Sequence, residues 1–159
     1  MPISADIVGK HYRFPDYYDV EREKVREYAT AVKNDDAAFF DDDAATALGY
    51  DGLLGPLTFI SVFGYRAQFA FFENAGIGIN DKKIVHVDQE LTFHHPIQVG
   101  DRLYCDVYAH KYRQAHGTDI IVTKNVITNQ DGEVVQETYT TLAGRSEENG
   151  ESGFNDGAA

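Results

Sequence analysis

The chain has 159 residues, 43% hydrophobic and 13% aromatic, which fits one domain with one buried core and excludes wholesale disorder. Its formal net charge of -12 would repel nucleic acid and anionic lipid, so phosphate-backbone binding is disfavoured. Cys105 is the single cysteine, so no internal disulfide can form, and MPISADIVGK has neither the charged leader nor the apolar core of a signal peptide; the expectation is a cytoplasmic protein.

In chain order, Tyr12, Phe14, Tyr17, Tyr18 and Val20 form an aromatic-rich extended segment broken by Pro15 and Asp16, an opening strand or arm. From Glu21 the pattern becomes helical: Val25, Tyr28, Ala29 and Val32 fall at i, i+3, i+4, i+7 beside a charged face, and the helix is expected to stop near Lys33 and Asn34. The run Asp41 to Asp43 before an alanine-rich stretch reads as a cap and first turn that complement a helix dipole. A metal cluster would need more converging oxygens, so no metal site is expected.

Leu54 to Glu73 is the stretch that organises the rest. Gly55 and Pro56 mark a helix entrance, and Phe59, Ile60, Val62, Phe63, Ala67, Phe69, Ala70, Phe71 and Phe72 fall all around the wheel, which predicts a helix surrounded by neighbours. Arg66 and Gln68 interrupt the run, and it is shorter than the ~20 residues that cross a bilayer, so stable membrane insertion is not expected. Thr58, Ser61, Tyr65 and Gln68 recur at three- and four-residue spacing on one face. They are candidate ligand contacts, with hydrogen bonding inside a crowded core as the plain alternative.

Residues 74–83 read as a loop, and four extended segments follow. In Ile84 to Phe93, strict alternation places Val85, Val87, Gln89, Leu91 and Phe93 on one side and His86, Asp88, Glu90 and Thr92 on the other, with Gln89 the polar exception on its face. Leu103 to Gln114 and Ile120 to Thr128 follow. The turn Asn129 to Gly132 then leads to a last strand over Glu133 to Leu142. Asn125 is a second polar residue on an otherwise apolar face. The lone Cys105 sits on an apolar face and is expected to be buried and inert. The six histidines, His86 among them, read as surface or structural residues, none with zinc-site spacing. The acidic, glycine-rich residues 146–159 are expected to be a disordered tail after a domain spanning 1–145. The fold class is α+β, a curved antiparallel sheet wrapped around one long helix.

VREYATAV at Val25 to Val32, the acidic loop at Asn34 to Phe40, GPLTF at Gly55 to Phe59 and PIQVGD at Pro96 to Asp101 occur in an order that resembles the MaoC-like, or (R)-specific enoyl hydratase, hot-dog family. HYRFPDYYDVEREKVREYA, GLLGPLTFISVFGY and IIVTKNVITNQDGEVVQETYTTLAGR are similar, more narrowly, to the HadA-type subunits of mycobacterial (3R)-hydroxyacyl-ACP dehydratases. Catalytic members of the wider family carry an Asp and a His in a G-D-x-N-P-x-H motif, with backbone N–H groups at the helix entrance polarising the thioester carbonyl. Here the pattern falls on Asn34 to Phe40: Asp35 is the remnant acid, and Phe40 stands where the histidine should be. Phenylalanine cannot exchange a proton, so no catalytic residue is assigned in this chain, and of the His-Gly at the helix entrance only Gly55 remains as an oxyanion candidate.

The resemblance implies a subunit that holds the acyl chain, paired with a catalytic hot-dog dehydratase subunit of HadB type and meeting acyl carrier protein through its acyl substrate. It implies no cofactor. Thr58, Ser61, Tyr65, Gln68, Gln89 and Asn125 would be the polar contacts of its channel. The alternatives are a self-sufficient homodimeric hydratase or thioesterase using Asp35 or Asp36 with a histidine from elsewhere, and a non-enzymatic acyl-thioester-binding module.

Overall fold

The computed structural model describes residues 3–146 and 151–157. Two short strands, β1 (His11–Arg13) and β2 (Tyr18–Asp19), precede α1 (Arg22–Ala31), α2 (Asp42–Ala47) and the long α3 (Ser61–Asn74). Then come β3 (Ile77–Ile79), β4 (Ile84–Phe93), β5 (Arg102–Ala115), β6 (Thr118–Thr128), β7 (Val134–Arg145) and β8 (Phe154–Asp156). The main sheet has the order β1-β5-β6-β7-β4, with β2 also paired to β5, and every pairing is antiparallel. Strands β5 and β6 alternate strictly between buried and half-buried residues over most of their length, the signature of a sheet with one face on the core. A sheet curled over one long helix is the hot-dog fold, as the sequence predicted.

The core lies between the inner sheet face and α3: Phe59, Phe63, Ala67, Phe71 and Phe72 pack with Leu103, Cys105, Val107, Ile121 and Ile127. The Phe63 ring stacks on Tyr18 and meets Phe14 edge-on, which fastens the opening arm over the helix. Cys105 is fully buried, and that burial pushes its thiol pKa far up, so it stays protonated and inert.

Two expectations about α3 are corrected. The α-helix starts at Ser61 rather than at Pro56: residues 57–60 form overlapping turns, with Phe59 N–H donating to Pro56 O at 2.8 Å and Ser61 N–H to Thr58 O at 3.0 Å. Tyr28 of α1 holds these turns, its hydroxyl donating to Thr58 O at 2.9 Å. Nor is the helix surrounded. It buries one broad stripe of Phe63, Gly64, Ala67, Gln68, Phe71 and Phe72, whereas Tyr65, at the edge of that stripe, is 60% exposed. At α1 the left-handed residue that ends the helix is Lys33 (φ 57°) rather than Asn34. Asp41 accepts from Ala44 N–H at 3.0 Å and caps α2, and no metal-binding cluster occurs among the described residues.

The C-terminal expectation is corrected more strongly. Of residues 146–159, positions 147–150 and 158–159 lie outside the described residues, but 151–157 are placed. There β8 pairs with β3, a strand inside what reads as a loop in the sequence, and Phe154 is fully buried against Phe72 with ring centroids 6.1 Å apart. Gly153 N–H donates to Arg145 O, and Asn80 N–H donates to Gly153 O, both at 2.9 Å. The approach requires glycine, because a Cβ on Gly153 would lie 2.7 Å from Gly144 Cα. Mean composition hides a segment fastened by one aromatic anchor and two glycines.

On the outer sheet face Glu137 accepts from Lys124 Nζ at 2.6 Å and lies 3.0 Å from His94 Nε2. Lys124 first, then His94, hold its carboxyl below the ordinary 4.5. A carboxylate whose folded pKa is depressed contributes stability above its unfolded pKa, and that contribution is lost as pH falls through the folded value. Glu137→Gln is therefore expected to cost up to about 1 kcal/mol at neutral pH. In urea titrations at several pH values, the gap from the unsubstituted chain should close as pH drops below that ordinary value.

Candidate functional site

The face of α3 that carries Gly64 and Gln68 and the inner face of β4, β6 and β7 line a cavity of about 440 Å³. Ser61, Tyr65 and Gln68 come to it from the helix because positions i, i+4 and i+7 share a face. Across from them stand Gln89 of β4, Asn125 of β6, and Thr138 and Thr140 of β7, with Ile79 and Asp81 also at the wall and Ile60, Phe69, Ile84 and Leu142 supplying apolar surface. Five of the six sequence-predicted contacts thus meet in one place.

The sixth, Thr58, does not reach the cavity; it is engaged with Tyr28 at the turn before α3. Gly55 is also elsewhere. Its N–H donates to Ile97 O at 2.7 Å, so it is not free to polarise a carbonyl, and α3 begins six positions later. The remnant Asp35 is exposed and Phe40 half-buried, and neither lines the cavity. Asp36 is committed to capping, accepting from Ala38 N–H at 2.9 Å.

His86 is the residue that strict alternation misplaces. Between β4 and β7 the register passes from His86↔Leu142 to Asp88↔Thr141, so Val87 is bulged out and opposes nothing. One extra residue exchanges faces for everything before it. Ile84 and His86 join Gln89 at the cavity, and Val85 turns outward, 61% exposed. The His86 ring is held by its Nε2, 3.1 Å from Asp88 O. The cavity therefore holds one imidazole and one carboxylate, Asp81, neither of which belongs to the family's motif positions.

The buried polar groups are fixed by the helix. Gln68 Nε2 donates to Thr123 Oγ1 at 2.6 Å, and Asn125 Nδ2 donates to Gly64 O at 3.1 Å. Gly64 is a second residue that sequence patterning passed over: a Cβ there would lie 3.4 Å from Asn125 Nδ2. The signal was a glycine in mid-helix, where it costs about 0.5–1 kcal/mol relative to alanine and so calls for a packing or functional reason.

Residues 6–138 match the family described as "FAS1-like, dehydratase domain region". The chain is 65% identical over 159 residues to UPF0336 protein Rv0635 of Mycobacterium tuberculosis, covering 100% of both. It is 63% identical over 159 residues to a UPF0336 protein of Mycobacterium leprae, again covering 100% of both. Among solved structures it is similar to a chain of the C-terminally truncated HadBC (3R-hydroxyacyl-ACP dehydratase) complex of Mycobacterium tuberculosis, with a TM-score of 0.81 and 46% identity over 89% of this chain and 100% of that one.

Proposed function

The chain belongs to the FAS1-like dehydratase-region family and to the UPF0336 group within it, and from that membership we propose that it is the substrate-holding subunit of a heterodimeric (3R)-hydroxyacyl-ACP dehydratase. The complex removes water from 3-hydroxyacyl thioesters to give trans-2-enoyl thioesters during type II fatty-acid, and specifically mycolic-acid, elongation. A catalytic hot-dog subunit of HadB type supplies the acid and base, and acyl carrier protein delivers the acyl chain.

The observation that carries this reading is the separation of cavity from motif. The chain has a cavity flanked by α3, yet Phe40 falls where the resemblance puts the motif histidine, and Asp35 is exposed away from the cavity. A positioned acid–base pair contributes about 10²–10⁴-fold, and a chain without one is a holder rather than a catalyst. Among the described residues, strand β4 is bonded only to β7 and ends the sheet. Such an unpaired edge suits a partner's strand, which would close the open side of the cavity.

A second reading follows from His86 and Asp81 both lining the cavity: a self-sufficient hydratase using these two groups. One assay separates the readings. Hydration of a trans-2-enoyl thioester is measured with this chain alone and co-expressed with a hot-dog subunit carrying an intact G-D-x-N-P-x-H. The subunit reading expects no activity alone and activity with co-purification when paired. Activity from the isolated chain, abolished by His86→Gln, would establish the second reading instead.

A further inference from the structure

We propose that the outer face of the sheet is an interface for a second copy of this chain, joining two subunits back to back. The interface lies across the sheet from the cavity and does not depend on the acyl-binding reading.

Two cross-strand rows carry it. Lys111 on β5 is the Cα partner of Val122 on β6, Val122 of Thr141 on β7, and Thr141 of Asp88 on β4. The neighbouring row runs Arg113, Ile120, Ala143, Val85 over the same four strands. Both rows lie on the outer face, because the residues that alternate with them, Ile121 and Thr123 of β6 and Thr140 and Leu142 of β7, are buried or line the cavity. Cations thus stand at the β5 end, small or apolar residues in the middle and a carboxylate at the β4 end. Among the described residues, Lys111, Arg113 and Asp88 have no ion-pair partner. Lys111 and Asp88 are three strand spacings apart, about 14 Å, too far to pair within one chain.

The shape is as one-sided as the charge. At the β5 end, beside the bulge at His110, Val8, Ile120 and Val122 line a hollow of about 360 Å³ together with Lys111 and Arg113. At the β4 end Val85 and the bulged Val87 are both exposed to solvent. A hollow at one end and a protrusion at the other is what an isologous interface needs, since the patch must complement itself. A two-fold axis parallel to the strands, midway between β6 and β7, lays β4 of one copy over β5 of the other. It brings the two valines to the hollow, runs the aliphatic stem of Arg113 along Val85, and sets Lys111 against Asp88 on both sides of the axis. A different acidic partner would use the cations but leave Asp88 and the exposed valines without a counterpart, whereas a second copy engages them all. Two chains of net charge -12 repel at long range, but at physiological ionic strength that repulsion is screened beyond about 8 Å.

The test is sedimentation velocity on the full chain at up to about 100 µM, on Lys111→Glu, on Asp88→Lys, and on an equimolar mixture of the two variants. The unsubstituted chain is expected to dimerise. Each variant alone sets like charges against each other at both contacts and should associate about tenfold or more weakly. In the mixture every contact again joins opposite charges, so association should return. Both positions are exposed, and thermal melts establish that the variants are folded. No dimer of the unsubstituted chain, association indifferent to both substitutions, or a mixture no better than either variant alone overturns the interface and leaves the dehydratase reading standing.

Discussion

Replacing Phe154 by alanine is expected to destabilise the chain by about 3–5 kcal/mol, as deletion of a fully buried phenylalanine does. For a domain of this size that corresponds to a fall of about 6–20 °C in Tm. The reason is local and specific. Phe154 is fully buried and reaches Phe72 of α3, while its backbone closes the β3–β8 pair. Without the ring, β8 loses its anchor and β3 loses its strand partner. Because β3 contributes Ile79, and the loop after it Asp81, to the cavity wall, ligand affinity should fall together with stability. Thermal unfolding of Phe154→Ala checks the prediction. A disordered tail predicts a change within about ±0.5 kcal/mol, the usual range for an exposed position. Gly153→Val gives an independent test, since its Cβ would collide with Gly144 Cα and Lys83 O at 2.7 and 2.8 Å.

How much of this was legible in the sequence follows from which signals are periodic. The alternation of Leu103, Cys105, Val107 and Ala109 and the helical spacing of Ser61, Tyr65 and Gln68 repeat often enough to assign a face, and each group does share one. A bulge has no such repeat. Val87 adds a single residue to β4, nothing in its identity marks it, and the slip sends His86 into the cavity and Val85 to solvent. Thr138 and Thr140 look like ordinary strand residues until β7 is seen to put them beside Asn125 and Gln89. The Gly55 N–H donates to Ile97 O, forty-two positions away in sequence, and no local pattern announces that acceptor. The hot-dog architecture and the helix wall of the cavity are thus local readings, whereas the opposite wall depends on register, and register is a property of pairs of strands.

Gly64→Leu is the substitution expected to affect function most. Gly64 sits on the buried stripe of α3 at the cavity wall, and its carbonyl holds Asn125. A leucine in mid-helix takes rotamers that lean toward the helix N-terminus, here toward Ile60 and Ser61, both cavity residues. The side chain would occupy space proposed for the acyl chain. Each buried methylene is worth about 0.8 kcal/mol, so excluding three or four of them costs about 3 kcal/mol, roughly a hundredfold in affinity. The paired enzyme carrying Gly64→Leu should therefore lose about a hundredfold in kcat/KM on long acyl thioesters and much less on short ones. Gly64→Ala is the control for the backbone: its Cβ meets Asn125 Nδ2 at 3.4 Å, the edge of ordinary contact, and alanine favours the helix by about 0.5–1 kcal/mol. It should keep activity at every chain length. If Gly64→Leu folds, pairs and turns over long chains at the original rate, the cavity beside α3 is not the path of the acyl chain, and the holding role proposed for this subunit falls.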